Sequence, residues 1–264
     1  MSPIPIPVFV YHSVRALPSA GMDRWTVTPR QFSAHLDAVV ASGRVSLTID
    51  ELARGLRGEA PLPDRAVALT FDDGFADNAD ALGELVGRGL KATLYVTTGY
   101  LGGSHMLSAA ELRELAQLEG LELGAHSVSH PRLDELSAAE VVEEIRASRS
   151  TLEDVVGREI TTFAYPHGNY HRGVRAAVVE AGFDSAAAVK NAFSHPADDP
   201  FAIARWIVED QTLLDRVEQA LDGQGLPMAW NRERVRTRGF RVVRRARRIA
   251  RRATTRPTRS LTHT

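Results

Sequence analysis

The stretch Ala66-Val67-Ala68-Leu69-Thr70-Phe71-Asp72-Asp73-Gly74 decides the fold of this chain. A short apolar run of this kind, closed by a turn signal, is typical of a buried strand. Two adjacent carboxylates follow the strand, and they repel each other unless a cation or a shared proton relieves them. An ordinary Asp-Asp-Gly turn is the simpler interpretation of the tripeptide alone, so the other motifs must decide whether the acids are functional.

Strands and helices alternate along most of the 264 residues. Besides the strand at 66–71, apolar runs predict strands at 7–11, 92–96, 121–125, 160–165, 183–189 and 203–208. Helical patterns lie between them, and Ser108 and Ser137 each begin one, with a glutamate three residues on to complete a capping box. This order predicts a single α/β domain with a largely parallel sheet, closed or nearly closed into a barrel. Reactive side chains should then gather at the C-terminal ends of the strands.

The composition limits the chemistry. There is no cysteine, which excludes disulfides, thiolate metal sites and cysteine nucleophiles. Any metal must therefore be held by histidine or carboxylate, which suits zinc or a harder divalent ion. Residues 1–7 have neither the basic segment nor the apolar core of a secretory signal. No apolar run approaches the roughly 20 residues that span a bilayer, so we expect a cytoplasmic protein.

Charge divides the chain into a predicted domain at 1–230 and a predicted tail at 231–264. Residues 232–264 contain 13 arginines and one acid, whereas the rest of the chain carries 19 basic and 32 acidic side chains. Apolar residues recur among the arginines of 232–256 at helical spacing, a pattern typical of a basic amphipathic helix on an anionic membrane surface. Nucleic-acid binding is disfavoured, because no series of stacking aromatic residues interleaves the arginines. A solvated tail, or docking onto the acidic body or a partner glycosyltransferase, are the alternatives.

Histidines follow other predicted strands. His12 comes directly after the first strand, and His126 and His130, four residues apart, follow the strand at 121–125. A spaced histidine pair alone is more often incidental, but with a strand-end aspartate it supplies three ligands and leaves positions open for water and substrate. An ion so bound lowers the pKa of water and makes it a nucleophile near neutral pH. If Asp73 is the ligand, Asp72 is the natural general base, and His12 is the candidate acid.

These motifs resemble those of a known family. Thr70-Phe71-Asp72-Asp73-Gly74, followed by His126-Ser127-Val128-Ser129-His130, resembles the first two motifs of the polysaccharide deacetylases, the NodB-homology group of carbohydrate esterases (carbohydrate esterase family 4). The resemblance covers about residues 7–221 and implies a distorted (β/α)7 barrel. It also implies metal-dependent removal of N-acetyl groups from a sugar, usually N-acetylglucosamine. In this family's pattern Asp72 is the base, and Asp73, His126 and His130 bind the ion, zinc by default.

The third family motif is altered. It usually reads Arg-Pro-Pro-Tyr-Gly, whereas this chain has Ala164-Tyr165-Pro166-His167-Gly168. The arginine that braces the catalytic aspartate is thus replaced by Ala164, and Arg205 is a candidate substitute, with a structural ion pair as the alternative. The resemblance implies that the backbone N–H of His167 stabilises the oxyanion, a role that tolerates a changed side chain.

The acid also departs from the family pattern. The last family motif, an apolar strand ending in Leu-x-x-His, is missing after residues 203–208. The first strand, which ends at His12, looks like that strand moved to the N-terminus. This permuted order resembles the branch that includes the bacterial poly-N-acetylglucosamine deacetylases. It makes His12 the expected acid, with a buried structural histidine as the alternative.

We therefore predict a metal-dependent N-deacetylase that acts on an acetylated amino-sugar glycan. Three alternatives stay open: an O-acetyl esterase, a deacylase of a lipid-linked sugar at the cytoplasmic face of the membrane, and a non-catalytic carbohydrate-binding barrel. Trp25, Tyr100 and Tyr170 are candidates for lining a sugar cleft, although core or rim packing is the simpler interpretation of each.

Overall fold

Seven parallel strands close into a barrel in the computed structural model, which describes residues 4–230. In chain order the strands are β1 (Val8–Tyr11), β2 (Ser13–Val14), β3 (Thr26–Val27), β4 (Val45–Leu47), β5 (Ala66–Phe71), β6 (Ala92–Val96), β7 (Leu121–Ala125), β8 (Thr162–Ala164), β9 (Ser185–Val189) and β10 (Ile203–Ile207). Around the barrel the order is β1, β5, β6, β7, β8, β9 and β10, which pairs again with β1. The predicted (β/α)7 barrel is confirmed.

Helices connect most of the barrel strands. They are α1 (Pro29–Ala41), α2 (Ile49–Leu56), α3 (Asn78–Gly87), α4 (Ala109–Leu115), α5 (Ala138–Val156), α6 (Arg172–Glu180) and α7 (Leu214–Leu221). The capping boxes predicted at Ser108 and Ser137 are both formed, and Thr48 forms a third at the start of α2. Such caps satisfy N–H groups that have no partner inside the helix.

The N-terminal strand closes the barrel. On one side, Tyr11 is in register with Phe71 of β5, and on the other, Phe9 is in register with Trp206 of β10. The N–H of Asp72 donates to the carbonyl of Tyr11 at 3.0 Å. The residues that follow β1 and β5 therefore lie side by side at the C-terminal end of the barrel.

Strand β4, which is missing from the prediction, distorts the barrel. It pairs with the first half of β5, with Val45 opposite Ala66, whereas β6 pairs with the second half, with Thr70 opposite Thr93. β1 pairs with one edge of β5 along its length. On the other edge of β5, β4 pairs first and β6 pairs after it. The short pairing of β2 with β3 is also missing from the prediction.

Alternating side chains divide the core into two layers. Val67, Leu69 and Phe71 of β5 belong to the larger cluster, whereas Ala66 and Ala68 belong to a smaller inner cluster, which also includes residues of α2. The inner cluster also holds Ala164, Ala187, Ile203 and Tyr95. Its small side chains leave room inside the barrel for larger polar ones.

Residues 231–264, which carry the predicted basic tail, lie outside the described residues. Within residues 4–230, none of the helices has the length and apolar character needed to cross a bilayer.

Candidate active site

Asp72 and Arg205 form a buried ion pair in the barrel. Two guanidinium nitrogens of Arg205 donate to the two carboxylate oxygens of Asp72 at 2.7 and 2.9 Å, and one of them also donates to Thr70 Oγ1 at 3.1 Å. Arg205 is fully buried and Asp72 is 3% exposed. Burial is the largest single effect and would raise the pKa of Asp72. The charge and hydrogen bonds of Arg205, with smaller contributions from His126 and His12, together outweigh it and hold that pKa well below its usual range. Asp72 is therefore ionised at neutral pH.

Asp73 differs sharply from its neighbour. Its backbone lies in the left-handed region at φ 74°, which turns its side chain away from the direction that the strand would give it. Its Oδ1 is buried and has no hydrogen-bond partner within residues 4–230. Burial, with a contribution from Asp72, raises the pKa of Asp73 to about 6. A buried acceptor of this kind needs either a proton or a cation.

His126 directs one ring nitrogen towards the two aspartates. Its Nδ1 lies 2.8 Å from the carbonyl oxygen of Ala164, and because a carbonyl can only accept, Nδ1 must carry the proton. Nε2 therefore presents a lone pair, and it lies 3.7 Å from both Asp72 Oδ2 and Asp73 Oδ1. Burial lowers the pKa of His126 to about 3, so the ring stays neutral, as a metal ligand requires.

His130 lies beside Asp73 and His126. Its Nε2 lies 3.4 Å from Asp73 Oδ1, and its ring centroid is 4.9 Å from that of His126. The loop between the two histidines has left-handed backbone at Ser127 (φ 65°) and at His130 itself (φ 53°). Burial lowers the pKa of His130 as well.

The loop that carries His130 is held by Glu144 of α5. The carboxylate accepts hydrogen bonds from the N–H groups of Val128 and Ser129, each at 2.9 Å, and from the Ser129 hydroxyl at 2.5 Å. The Ser127 hydroxyl accepts from the His130 N–H at 3.0 Å. These bonds hold a loop whose dihedral angles are otherwise unfavourable for non-glycine residues.

The three predicted ligands fit a divalent ion. One donor atom from each of Asp73, His126 and His130 lies within 4.8 Å of the others. The set combines two neutral imidazoles with a carboxylate oxygen that has no hydrogen-bond partner in the described part of the chain. Two histidines and one carboxylate form a donor set found in catalytic zinc sites.

His167 lies beside the metal-binding group. Its ring centroid is 4.4 Å from that of His130, and its backbone is left-handed at φ 58°. Gly168 follows at φ 67°, and a Cβ there would lie 2.6 Å from the backbone nitrogen of Val189 in β9. Only glycine permits this close approach, which presses the turn that carries His167 against the barrel.

His12 lies near the two aspartates. It directly follows β1, and its charge when protonated lowers the pKa of both Asp72 and Asp73. Its ring packs against Trp25 with centroids 5.5 Å apart. Its Nδ1 is buried and has no hydrogen-bond partner among residues 4–230. The structure thus brings together all six predicted site residues, although their roles stay predictions.

The family is identified by comparison with known proteins. A family model described as polysaccharide deacetylase matches residues 59–186, which include Asp72, Asp73 and both histidines of the second motif. Over this segment, just under half of its length, the chain matches the polysaccharide deacetylase family. The resemblance read from the motifs is therefore confirmed.

Two relatives of the polysaccharide deacetylase family show how far the likeness extends. YxkH of Bacillus subtilis, whose name assigns it provisionally to the polysaccharide deacetylases, is 28% identical over 182 residues, 69% of this chain and 63% of YxkH. The peptidoglycan-N-acetylglucosamine deacetylase PgdA of Listeria monocytogenes is 31% identical over 113 residues, 42% of this chain and 23% of PgdA. The chain therefore covers less than two thirds of the length of each.

Solved structures share the polysaccharide deacetylase fold. The deacetylase PplD of Streptococcus pyogenes superposes with a TM-score of 0.75 over 83% of this chain and 99% of PplD, at 22% identity. IcaB of Ammonifex degensii superposes with a TM-score of 0.71 over 82% of this chain and 97% of IcaB, also at 22% identity. At these identities the superpositions show a shared barrel.

The altered third motif of this chain has a structural explanation. Ala164 lies in the inner cluster and orients His126 through its carbonyl, while Arg205 of β10 reaches Asp72 from another strand. The candidate substitute therefore does contact the aspartate that it was expected to brace.

Some residues of the site were missed or were only partly foreseen. Glu144 gives no sequence signal, because it lies on an amphipathic helix among other glutamates. Of the aromatic candidates, Trp25 packs against His12, and Tyr100, 38% exposed, has its ring centroid 6.4 Å from that of His130. Tyr170 instead stacks on Tyr165 and packs against the core.

Proposed function

We propose that the protein hydrolyses the N-acetyl groups of an N-acetylglucosamine-type glycan, and that it does so with a divalent ion. The observation that carries this proposal is the division between the two adjacent aspartates. Asp72 is held ionised by Arg205, whereas the Oδ1 of Asp73 faces two imidazole nitrogens and has no hydrogen-bond partner within residues 4–230. Binding alone does not require a base beside a ligand set, but amide hydrolysis does.

Asp73, His126 and His130 would hold the ion, and zinc suits these ligands. Such an ion polarises the acetyl carbonyl and lowers the pKa of water. Asp72 is placed to accept the proton of the attacking water, because it is ionised and its Oδ2 lies 3.7 Å from the nitrogen of a ligand.

His12 and His167 would complete the reaction. His12 donates a proton to the amine nitrogen as the carbon–nitrogen bond breaks, so acetate and a free amine are released. The N–H of His167 donates to the carbonyl oxygen, on which negative charge develops. Both assignments rest on the match to the family motifs and on the positions of the two residues around the aspartate pair.

The substrate class is proposed from the relatives. PgdA is named a peptidoglycan-N-acetylglucosamine deacetylase, and another relative, 30% identical over 122 residues, is named a chitin deacetylase, from Cryptococcus neoformans. Both names specify an acetylated glucosamine glycan. We propose such a glycan or its precursor as the substrate, with the inner face of the membrane as the location.

Metal analysis coupled to acetate release tests the proposal. Purified protein should contain about one zinc ion per chain and release acetate from chitin oligosaccharides, peptidoglycan fragments or a lipid-linked N-acetylglucosamine. Asp72→Asn should keep the metal and lose on the order of 10²- to 10⁴-fold in kcat, because the general base is removed. His126→Ala should lose both metal and activity.

Two results would oppose the proposal. Unchanged turnover by Asp72→Asn would contradict the assigned base. Metal binding without acetate release from any amino-sugar substrate would favour a non-catalytic barrel. An O-acetylated sugar without amide groups, included in the same assay, separates an esterase from an N-deacetylase.

A further inference from the structure

Asp77 contacts the residues that follow His12. One carboxylate oxygen of Asp77 accepts a hydrogen bond from the Ser13 hydroxyl at 2.7 Å, and the other accepts from the Val14 N–H at 3.1 Å. The next residue, Asn78, donates from Nδ2 to the carbonyl oxygen of His12 at 2.7 Å and to Asp77 at 3.2 Å. Three consecutive residues, beginning with His12, are thus bound to one pair of side chains.

Asp77 makes these contacts instead of capping the helix that it begins. It is the N-cap residue of α3, where an aspartate normally accepts a hydrogen bond from a helix N–H. Among the described residues, Asp77 makes no such capping bond. Its hydrogen bonds go to Ser13 and Val14, which lie more than 60 positions away in sequence. Losing a cap destabilises a helix, so this arrangement calls for a reason outside the helix.

His12 is the residue whose position must be held. Within residues 4–230 its Nδ1 finds no hydrogen-bond partner, so no carboxylate or carbonyl there orients the imidazole. A catalytic histidine is ordinarily oriented by a third group of this kind. The position of the His12 ring therefore depends on its contact with Trp25 and on the placement of its backbone.

The short segment 72–78 contains the proposed base and also the two residues that bind the backbone at His12. Asp72 and Asp73 directly follow β5, and Asp77 and Asn78 begin α3 after three further residues. A displacement of this segment would move the base and the backbone of His12 together. The distance between base and acid is thus set by local hydrogen bonds, and a positional error of about 1 Å can cost on the order of 100-fold in rate.

We propose that Asp77 is a positioning residue, which holds the His12 segment at a fixed distance from Asp72 so that the imidazole can protonate the leaving amine. This inference rests on the proposed role of His12 as the acid. Asp77 itself does not contact the reacting atoms.

A double-mutant cycle tests the inference. Asp77→Ala should lower kcat about tenfold or more, with KM and zinc content unchanged. Because Asp77 acts through His12, the same substitution made in a His12→Ala background should change kcat by less than about twofold, since coupled residues are non-additive. Asp77→Asn, which keeps an oxygen acceptor, should recover part of the loss.

Two further variants keep the test informative if Asp77→Ala folds poorly. Ser13→Ala removes only the 2.7 Å bond and should give a smaller loss of the same kind. Asp80→Ala is the matched control, because Asp80 is exposed in the first turn of α3 and should leave kcat unchanged. Thermal unfolding of each variant separates lost stability from lost rate.

The outcomes separate the inference from the proposed function. Equal losses of kcat from Asp77→Ala in both backgrounds would overturn the positioning role, as would no loss in the wild-type background. Unchanged kcat in His12→Ala would overturn the acid assignment itself, and the inference with it. A loss that appears only when His12 is present supports both.

Discussion

Arg205 and Asp72 lie 133 residues apart in the chain and form a bidentate ion pair inside the barrel. The side chain of Arg205 is fully buried, and its guanidinium lies 5.2 Å from the ring centroid of Tyr95. An arginine so placed is permanently charged. It therefore sets the protonation state of Asp72 across the whole neutral range.

Removing Arg205 should shift the pH dependence of the reaction. In the Arg205→Met variant, the charge that opposes burial most strongly is removed and the pKa of Asp72 rises, so the acidic limb of the kcat/KM profile should move to higher pH. Activity at pH 6 should fall more than activity at pH 8. Acetate release across this range measures the effect, and Arg205→Lys should shift the limb less. A profile that keeps its shape would contradict the role of Arg205.

The same variant should lose stability with a defined pH dependence. A carboxylate whose pKa is lowered by folding contributes stability above its unfolded pKa, and the contribution is lost as pH falls through the folded value. Breaking a buried pair by removing one partner costs about 3–5 kcal/mol at neutral pH. Wild type and Arg205→Met should therefore differ most in Tm near pH 7 and converge in acid. An unchanged Tm at pH 7 would show that another group compensates.

Glu144 should control metal affinity through the His130 loop. Glu144→Ala removes the acceptor of three hydrogen bonds, so zinc affinity should fall about 10- to 100-fold, as is usual for residues that hold metal ligands. Competition with a chromophoric chelator measures the change. Glu143→Ala, on an exposed neighbour in α5, is the matched control. Equal affinities for the two variants would contradict the prediction.

Gly168 should be more sensitive to substitution than Gly157, although the two have nearly the same backbone angle. Their φ values are 67° and 69°, but a Cβ at Gly168 would lie 2.5 Å from Val189 Cβ, whereas at Gly157 nothing lies within 4 Å. Gly157→Ala should cost only the left-handed backbone, about 1–2 kcal/mol. Gly168→Ala should cost more in Tm and also lower kcat, because the turn at His167 must move. Similar losses at both positions would show that backbone strain alone matters.

Residues 231–264 should bind anionic membranes. Full-length protein should sediment with vesicles that contain an anionic lipid, less so at high salt, because the attraction is electrostatic. A chain ending at residue 230 should stay in solution. Equal binding to purely zwitterionic vesicles, or by the shortened chain, would contradict this. Salt-sensitive retention on DNA would instead favour nucleic acid.

Local patterns explain what could be predicted from the sequence. The apolar run that ends at Asp72 and the serines that begin α4 and α5 act through neighbouring residues, so their structures are as expected. His126 and His130 are also close in sequence, and one short loop brings them together. Asp73 joins the two histidines only because β5, β6 and β7 pair side by side, which the parallel-sheet prediction anticipates.

Long-range contacts explain what could not be predicted. Strand β4 has only three residues, and pairing with β5 rather than its own propensity makes it a strand. Arg205 could be named only as a candidate, because its contact with Asp72 depends on closure of the barrel. Glu144 is an ordinary helix glutamate until the loop at Val128 folds against it. Asp77 looks like a simple helix cap, but its partners come from the start of the chain.

The alignment of β1 with β5 has a consequence for how this chain tolerates change. Val8 is opposite Ala68 and Tyr11 is opposite Phe71, so His12 and Asp72 occupy equivalent places one step beyond. Side chains on a strand alternate between its two faces. His12 comes four positions after the inward-facing Val8, an even number, so its side chain lies on the same face. Deleting one residue from β1 would turn the imidazole towards the helices while leaving the number of strands intact. The position of His12 therefore constrains the parity of this count.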